Sequence, residues 1–143
     1  MPSGIVTTRD AGLELADRLL AGVRDAAAED GLAMAAAVLD RGGQLVAAMR
    51  MDGAQICAVP LAIDKAFTAV AVHQPTEAWA QSTQPGGSDW GFNTTLGGRI
   101  VVFAGGMPIV FDDEVIGGLG VSGGAAHQDK ACAESALRAA GLA

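Results

Sequence analysis

The chain has 143 residues; 50% are apolar, 17% are charged, 20 are glycine, and the formal net charge is −7. That length reads as one domain over residues 1–143 with room for a real core. The composition excludes a disordered chain, a membrane-spanning helix of about 18 uncharged apolar residues, and the clustered basic surface that nucleic acid requires.

Residues 7–30 read as a helix, capped by Thr8 or Asp10, with Leu13, Ala16, Leu20 and Val23 at helical spacing. Residues 33–39 have strand length, residues 40–44 (DRGGQ) form a turn, and residues 45–51 return as the second strand of a hairpin. Leu45, Ala47, Met49 and Met51 share one face of that strand, and Arg50 lies on the other. Pro60 suits the first turn of a second helix running to His73, which Pro75 stops; a short helix follows over residues 76–81. Residues 82–99 form a long loop rich in Gly, Ser and Thr. Three strands are then expected at residues 100–104, 108–111 and 115–122, followed by a helix over 125–140. The order is αββα–βββα. Its short strand connections demand antiparallel pairing, so the expectation is an α+β domain with one five-stranded antiparallel sheet and flanking helices.

Two features of the composition bear on assembly and location. A charge-poor surface rich in Ala and Gly reads either as burial between copies of the chain or as a coding bias toward those residues. Residues 1–10 carry no basic-then-apolar leader pattern, and the two cysteines, Cys57 and Cys132, form no CxxC pair, so a reducing cytoplasmic setting is expected.

Several residues could carry chemistry. Lys65 stands in an apolar helix (LAIDKAFTAVAV) and needs a partner or a polar cavity. It either holds a substrate carboxylate or acts as a base, or it pairs with Asp64 or with a carboxylate of a neighbouring subunit. Thr68 shares its side of the helix. Arg50 offers a bidentate fork to a carboxylate. His73 and His127 are candidates for haem ligation or proton relay, and Asp129 for proton relay, with ordinary helix-end positions as the alternative. Gly105 and Gly106, like Ser122 and Gly123, could bring backbone amides to a ligand or serve only turns and close packing. Trp90 and Phe92 lie in the glycine-rich loop, placed to close a pocket or pack on a neighbouring subunit. Gly118-Leu119-Gly120-Val121-Ser122-Gly123 spells GxGxxG, but position 138 is Arg where that fold needs an acidic residue, so a dinucleotide fold is not the expectation. No three or four metal ligands recur at a recognisable spacing, so no metal site is expected.

Taken in order, VLDRGGQLVAAMRMDGA (38–54), KAFTAVAVHQPT (65–76), GGRIVVFAGGMPIVFDDEVIGGLGVSGG (97–124) and QDKACAESAL (128–137) resemble the GlcG/HbpS family, whose domain is also described as haem-degrading or PduO C-terminal-like. The resemblance spans nearly the whole chain. It implies a profilin- or PAS-like antiparallel sheet with flanking helices, assembly as a tetramer or octamer, and haem as a ligand of some members. Other members resemble cofactor-free enzymes for small acids. The family often has Asp-Gly where this chain has Asp112-Asp113. Three functions follow as expectations. The first is a homo-oligomeric small-molecule-binding protein with haem or a related ligand. The second is a cofactor-independent isomerase, hydratase or lyase on a small carboxylate, using Lys65, His73 and Asp129. The third is a ligand-free structural oligomer. Neither nucleic acid nor membrane is an expected partner.

Overall fold

In a computed structural model, which describes residues 2–142, the chain forms three helices and a four-stranded antiparallel sheet. Helix α1 (Leu13–Glu29) leads into the hairpin β1 (Ala35–Asp40) and β2 (Leu45–Arg50). Helix α2 (Ala58–Val72), short 3-10 turns at Thr76–Trp79, Phe92–Thr94 and Leu96–Gly98, strands β3 (Gly106–Phe111) and β4 (Glu114–Ser122), and helix α3 (Ala126–Ala139) follow. The strand order is β2-β1-β4-β3.

The expected five-stranded sheet is therefore corrected to four. Residues 100–104 are apolar and β-branched, but they join no ladder. Their backbone is held by side chains instead: the Val101 amide donates to Thr68 Oγ1 (3.0 Å), and the Phe103 carbonyl accepts from Thr76 Oγ1 (2.6 Å). Helix α1 also starts later than expected, at Gly12, because Asp10 turns away from it. The Asp10 carboxylate accepts from the amides of Ala11 and Arg41, tying the chain's start to the β1–β2 turn.

The sheet lies between helices. On one face Ala36, Val38, Leu119, Val121 and Ile109 pack against α1 and α3. On the other, Ala35, Ala37 and Leu39 meet Ala58, Ala62 and Ala66 of α2. Strand β1, covered on both sides, is accordingly a continuous apolar run.

Helix α2 approaches β4 backbone to backbone. A methyl group at Gly120 would stand 2.7 Å from Ala66 N, and one at Gly118 would stand 3.1 Å from Ala66 C, closer than side chains tolerate. The glycines of the GxGxxG string thus serve helix-on-sheet packing. The alanines of α2 recur at 58, 62, 66 and 69, all fully buried, and form the complementary stripe. Much of the Ala/Gly excess is therefore spent inside the single chain. Among the described residues no helix is long and apolar enough to cross a membrane.

Candidate functional site: a buried lysine at the end of the sheet

Lys65 projects from α2 toward the end of β4 and is only 1% exposed. Its ammonium donates to Asp129 Oδ2 (2.8 Å) and to the Val121 carbonyl (2.9 Å), and it lies 5.2 Å from the centre of the Phe103 ring. The other carboxylate oxygen of Asp129 accepts from the Gly124 amide at 2.9 Å. The pair thus joins α2, β4, the β4–α3 connection, α3 and the segment before β3. Burial holds the Asp129 carboxyl above its ordinary value, against the opposing pull of Lys65, the Gly124 amide and His127.

Gly105 makes the room for this pair. A side chain there would stand 2.6 Å from Lys65 Nζ and 3.0 Å from Asp129 Cβ, and its φ of 125° is glycine territory. Gly106 lies against the Lys65 carbonyl, and its amide donates to Thr76 Oγ1 at 3.0 Å. Thr76 and Phe103 are the residues that sequence reasoning missed. Pro75 before Thr76 marks the turn, but nothing local shows that its hydroxyl bridges Phe103 and Gly106.

The structure gathers Lys65, Asp129, Gly105 and Gly106, with His127 two residues from Asp129 and exposed. Thr68, fully buried, uses its hydroxyl to accept the Val101 amide and to donate to the Asp64 carbonyl (2.8 Å). Asp64 itself pairs with Arg99 at 3.3 Å, and that guanidinium stacks 3.7 Å from the Phe67 ring centre. Gly123 adopts φ 131° against Ala33, while Ser122 faces α2 beside Ala35. The amides opening α3 are partly taken: Gly124 by Asp129, and Ala125 by Gln128 Oε1 (2.9 Å).

Other expected residues lie elsewhere. Arg50 is exposed on the edge strand β2 and, through Ala35, lies level with Ser122, two strand spacings or about 10 Å from the end of β4. His73 is exposed at the C-terminus of α2 in the left-handed region (φ 58°, ψ 31°). Trp90 is 66% exposed, whereas Phe92 is half-buried and packs on Trp79 with ring centres 4.8 Å apart. Among the described residues no three His, Cys, Asp or Glu side chains gather to hold a metal ion, and the single chain shows no pocket.

Three relatives set this geometry in context. The chain is 37% identical over 125 residues to an uncharacterised 15.0 kDa protein encoded in the dhaT–dhaS intergenic region of Citrobacter freundii, covering 87% of this chain and 88% of that one. Its fold matches the crystal structure of Klebsiella pneumoniae protein ORFY with a TM-score of 0.96 and 33% identity, covering 100% and 99% of the two chains. It matches the crystal structure of a PduOC–haem complex with a TM-score of 0.87 and 31% identity, covering 91% and 94%. The model of one family, described as haem degrading protein HbpS-like, matches residues 12–138, and the chain belongs to that HbpS-like family.

Proposed function

We propose that this chain is a homo-oligomeric small-molecule-binding protein whose ligand is haem or a planar molecule of that class. The observation that carries the reading is the likeness, over 91% of this chain, to a domain solved as a haem complex. The residues present fit such a group. Haem needs an accessible imidazole and apolar surface, and His127 and Phe103 both border the Lys65–Asp129 pair, His127 exposed and Phe103 46% exposed. His73 is the second accessible imidazole. When bound, haem would supply an iron that His127 or His73 would hold through a neutral imidazole nitrogen. The buried pair fixes the first turn of α3 and so the direction from which His127 approaches.

Titrating the apo-protein with haemin tests this reading. A saturable Soret shift is expected, weakened at least tenfold in His127→Ala or in His73→Ala. No shift, or a shift that both variants leave unchanged, removes axial histidine ligation. Sedimentation of the same samples gives the subunit number, for which a tetramer or octamer is expected.

The buried Lys65–Asp129 pair supports a second reading, proton transfer on a small carboxylate-bearing substrate. The pair would have to open, because Lys65 is closed to solvent, and Arg50 stands at the same end of the sheet, two strand spacings from Ser122. A folded Lys65→Met/Asp129→Leu double variant that turns over a wild-type substrate at full rate would sink it.

A further inference from the structure

Nine basic side chains serve this acidic chain, and among the described residues every one but Arg50 meets an acceptor. Seven pair with carboxylates, and Arg18 donates to the Ala140 carbonyl at 3.3 Å. The chain has 16 acidic residues, yet none stands within pairing distance of Arg50, not even Asp52 two positions on. The buried polar side chains show a matching exception. Lys65, Thr68, Thr76, Thr83 and Asp129 all hydrogen-bond within the chain. Ser122 is only 4% exposed, and its hydroxyl has no partner among the described residues. The atoms both sealed and unpartnered are Glu77 Oε2 and Trp79 Nε1, so the exposure that Ser122 keeps reaches its oxygen.

The register brings these two exceptions to one place. Ala35 pairs with Arg50 on one side and with Ser122 on the other, and directly paired residues share a face of the sheet. That face is the one α2 covers, since Ala35 belongs to the cluster that holds Ala58 and Ala62. Ala62 stands over Gly120 and Val70 over Gly118, so α2 runs away from Ser122 and opens its N-terminus at this end. The helix has no side-chain cap and no acidic residue in its first turn. There the Ala58 amide donates to the Gln55 carbonyl and the Leu61 amide to the Cys57 carbonyl, while Pro60 has no N–H. The Val59 amide is left as the free donor of a helix end that favours negative charge.

We infer that Arg50, the Ser122 hydroxyl and the Val59 amide form a subsite for the carboxylate of an acidic ligand. The guanidinium fork supplies two parallel N–H donors and the one positive charge that a carboxylate needs. The hydroxyl and the amide complete the set from the β4 side, and Ala35 between them adds only a methyl. The Lys65–Asp129 pair, its charges already matched, takes no part. The inference rests on the small-molecule reading and deepens it by naming the ligand as an acid.

The test titrates the isotope-labelled full chain with sodium benzoate at constant ionic strength, with benzyl alcohol as the uncharged control. The Ser122 and Val59 amides and the Arg50 Nε–H resonance should shift together and saturate with benzoate, and stay put with the alcohol. Arg50→Gln should weaken benzoate by about tenfold and Ser122→Ala by about threefold, with melting as in wild type. No saturable shift up to roughly 50 mM benzoate, where even millimolar affinity would register, overturns the inference. So does a shift at Arg50 that leaves Ser122 and Val59 unmoved, an equal response to benzyl alcohol, or tighter binding of inorganic phosphate than of benzoate. Haemin titration of the same samples is read separately. A protein that binds benzoate here and no haemin loses the haem reading and keeps the subsite; one that binds haemin without the benzoate shifts does the reverse.

Discussion

Replacing Gly120 with Ala tests whether α2 sits on β4 by backbone contact. The new methyl would overlap the Ala62 carbonyl oxygen and stand 2.7 Å from Ala66 N and 2.9 Å from Ala62 C. Ordinary contact at about 3.4 Å requires α2 to lift by at least roughly 0.7 Å, a gap that forfeits about a quarter to a half of each dispersion contact it crosses. A side chain could rotate away; a helix backbone cannot. The helix also carries Lys65 to its partners, so lifting it strains the bonds to Asp129 and Val121. The loss belongs at the upper end of overpacking effects, about 3 kcal/mol. With an unfolding entropy of about 2.1 cal/mol/K per residue, that lowers Tm by about 10 °C for 143 residues. Thermal unfolding followed by dichroism or calorimetry reads it directly. Gly42→Ala, whose methyl meets only Asp40 Oδ1 at 3.4 Å, is the control and should melt close to wild type. If Gly120→Ala melts within about 2 °C of wild type, the helix has slack and the close-packing argument is wrong.

Three more outcomes follow from the same structure. In the β3–β4 turn Asp112 (φ 47°) and Asp113 (φ 63°) both lie in the left-handed region, so Asp113→Gly should raise stability by about 0.5 kcal/mol in denaturant unfolding; a loss would show that the Asp113 side chain stabilises the turn. Lys65→Met leaves the Asp129 carboxylate buried without its cation and should lower stability by about 3–5 kcal/mol, much of it recovered when Asp129→Leu is added; a double variant no better than the single one contradicts this. Asp129 has its folded value above the ordinary 3.8, so folding takes up a proton in the window just above pH 3.8. Its contribution is then fully present below that value and lost as pH rises through the folded value. The stability of wild type minus that of Asp129→Asn should therefore fall with rising pH across that window, and a rise would mean that the attraction of Lys65 outweighs burial.

The sequence announces what is local in this fold and conceals what is not. The helical spacing of Leu20 and Val23, the hairpin around Gly43 and the antiparallel connections are readable because each rests on neighbours a few residues apart. The segment 100–104 misleads because β-branched residues describe a preference for extended backbone, whereas membership of a sheet depends on who takes the hydrogen bonds. Here Thr68 and Thr76 take two of them, 33 and 27 positions away from Val101 and Phe103. Lys65 is conspicuous as a lone charge in an apolar helix, but its partner is neither of those first expected. The adjacent Asp64 points to Arg99, and the ion pair closes with Asp129, 64 positions on.

The role of the glycines explains why that distant pairing is possible at all. Gly118 and Gly120 let α2 sink onto β4, and Gly105 and Gly106 keep the neighbouring edge of the sheet free of side chains where Lys65 descends. With a Cβ at Gly105 the ammonium would lose the space it shares with Asp129. A charge-poor, glycine-rich composition and a buried ion pair are thus one arrangement: the small residues create the depth, and the depth makes a lone lysine depend on a carboxylate and a strand-end carbonyl.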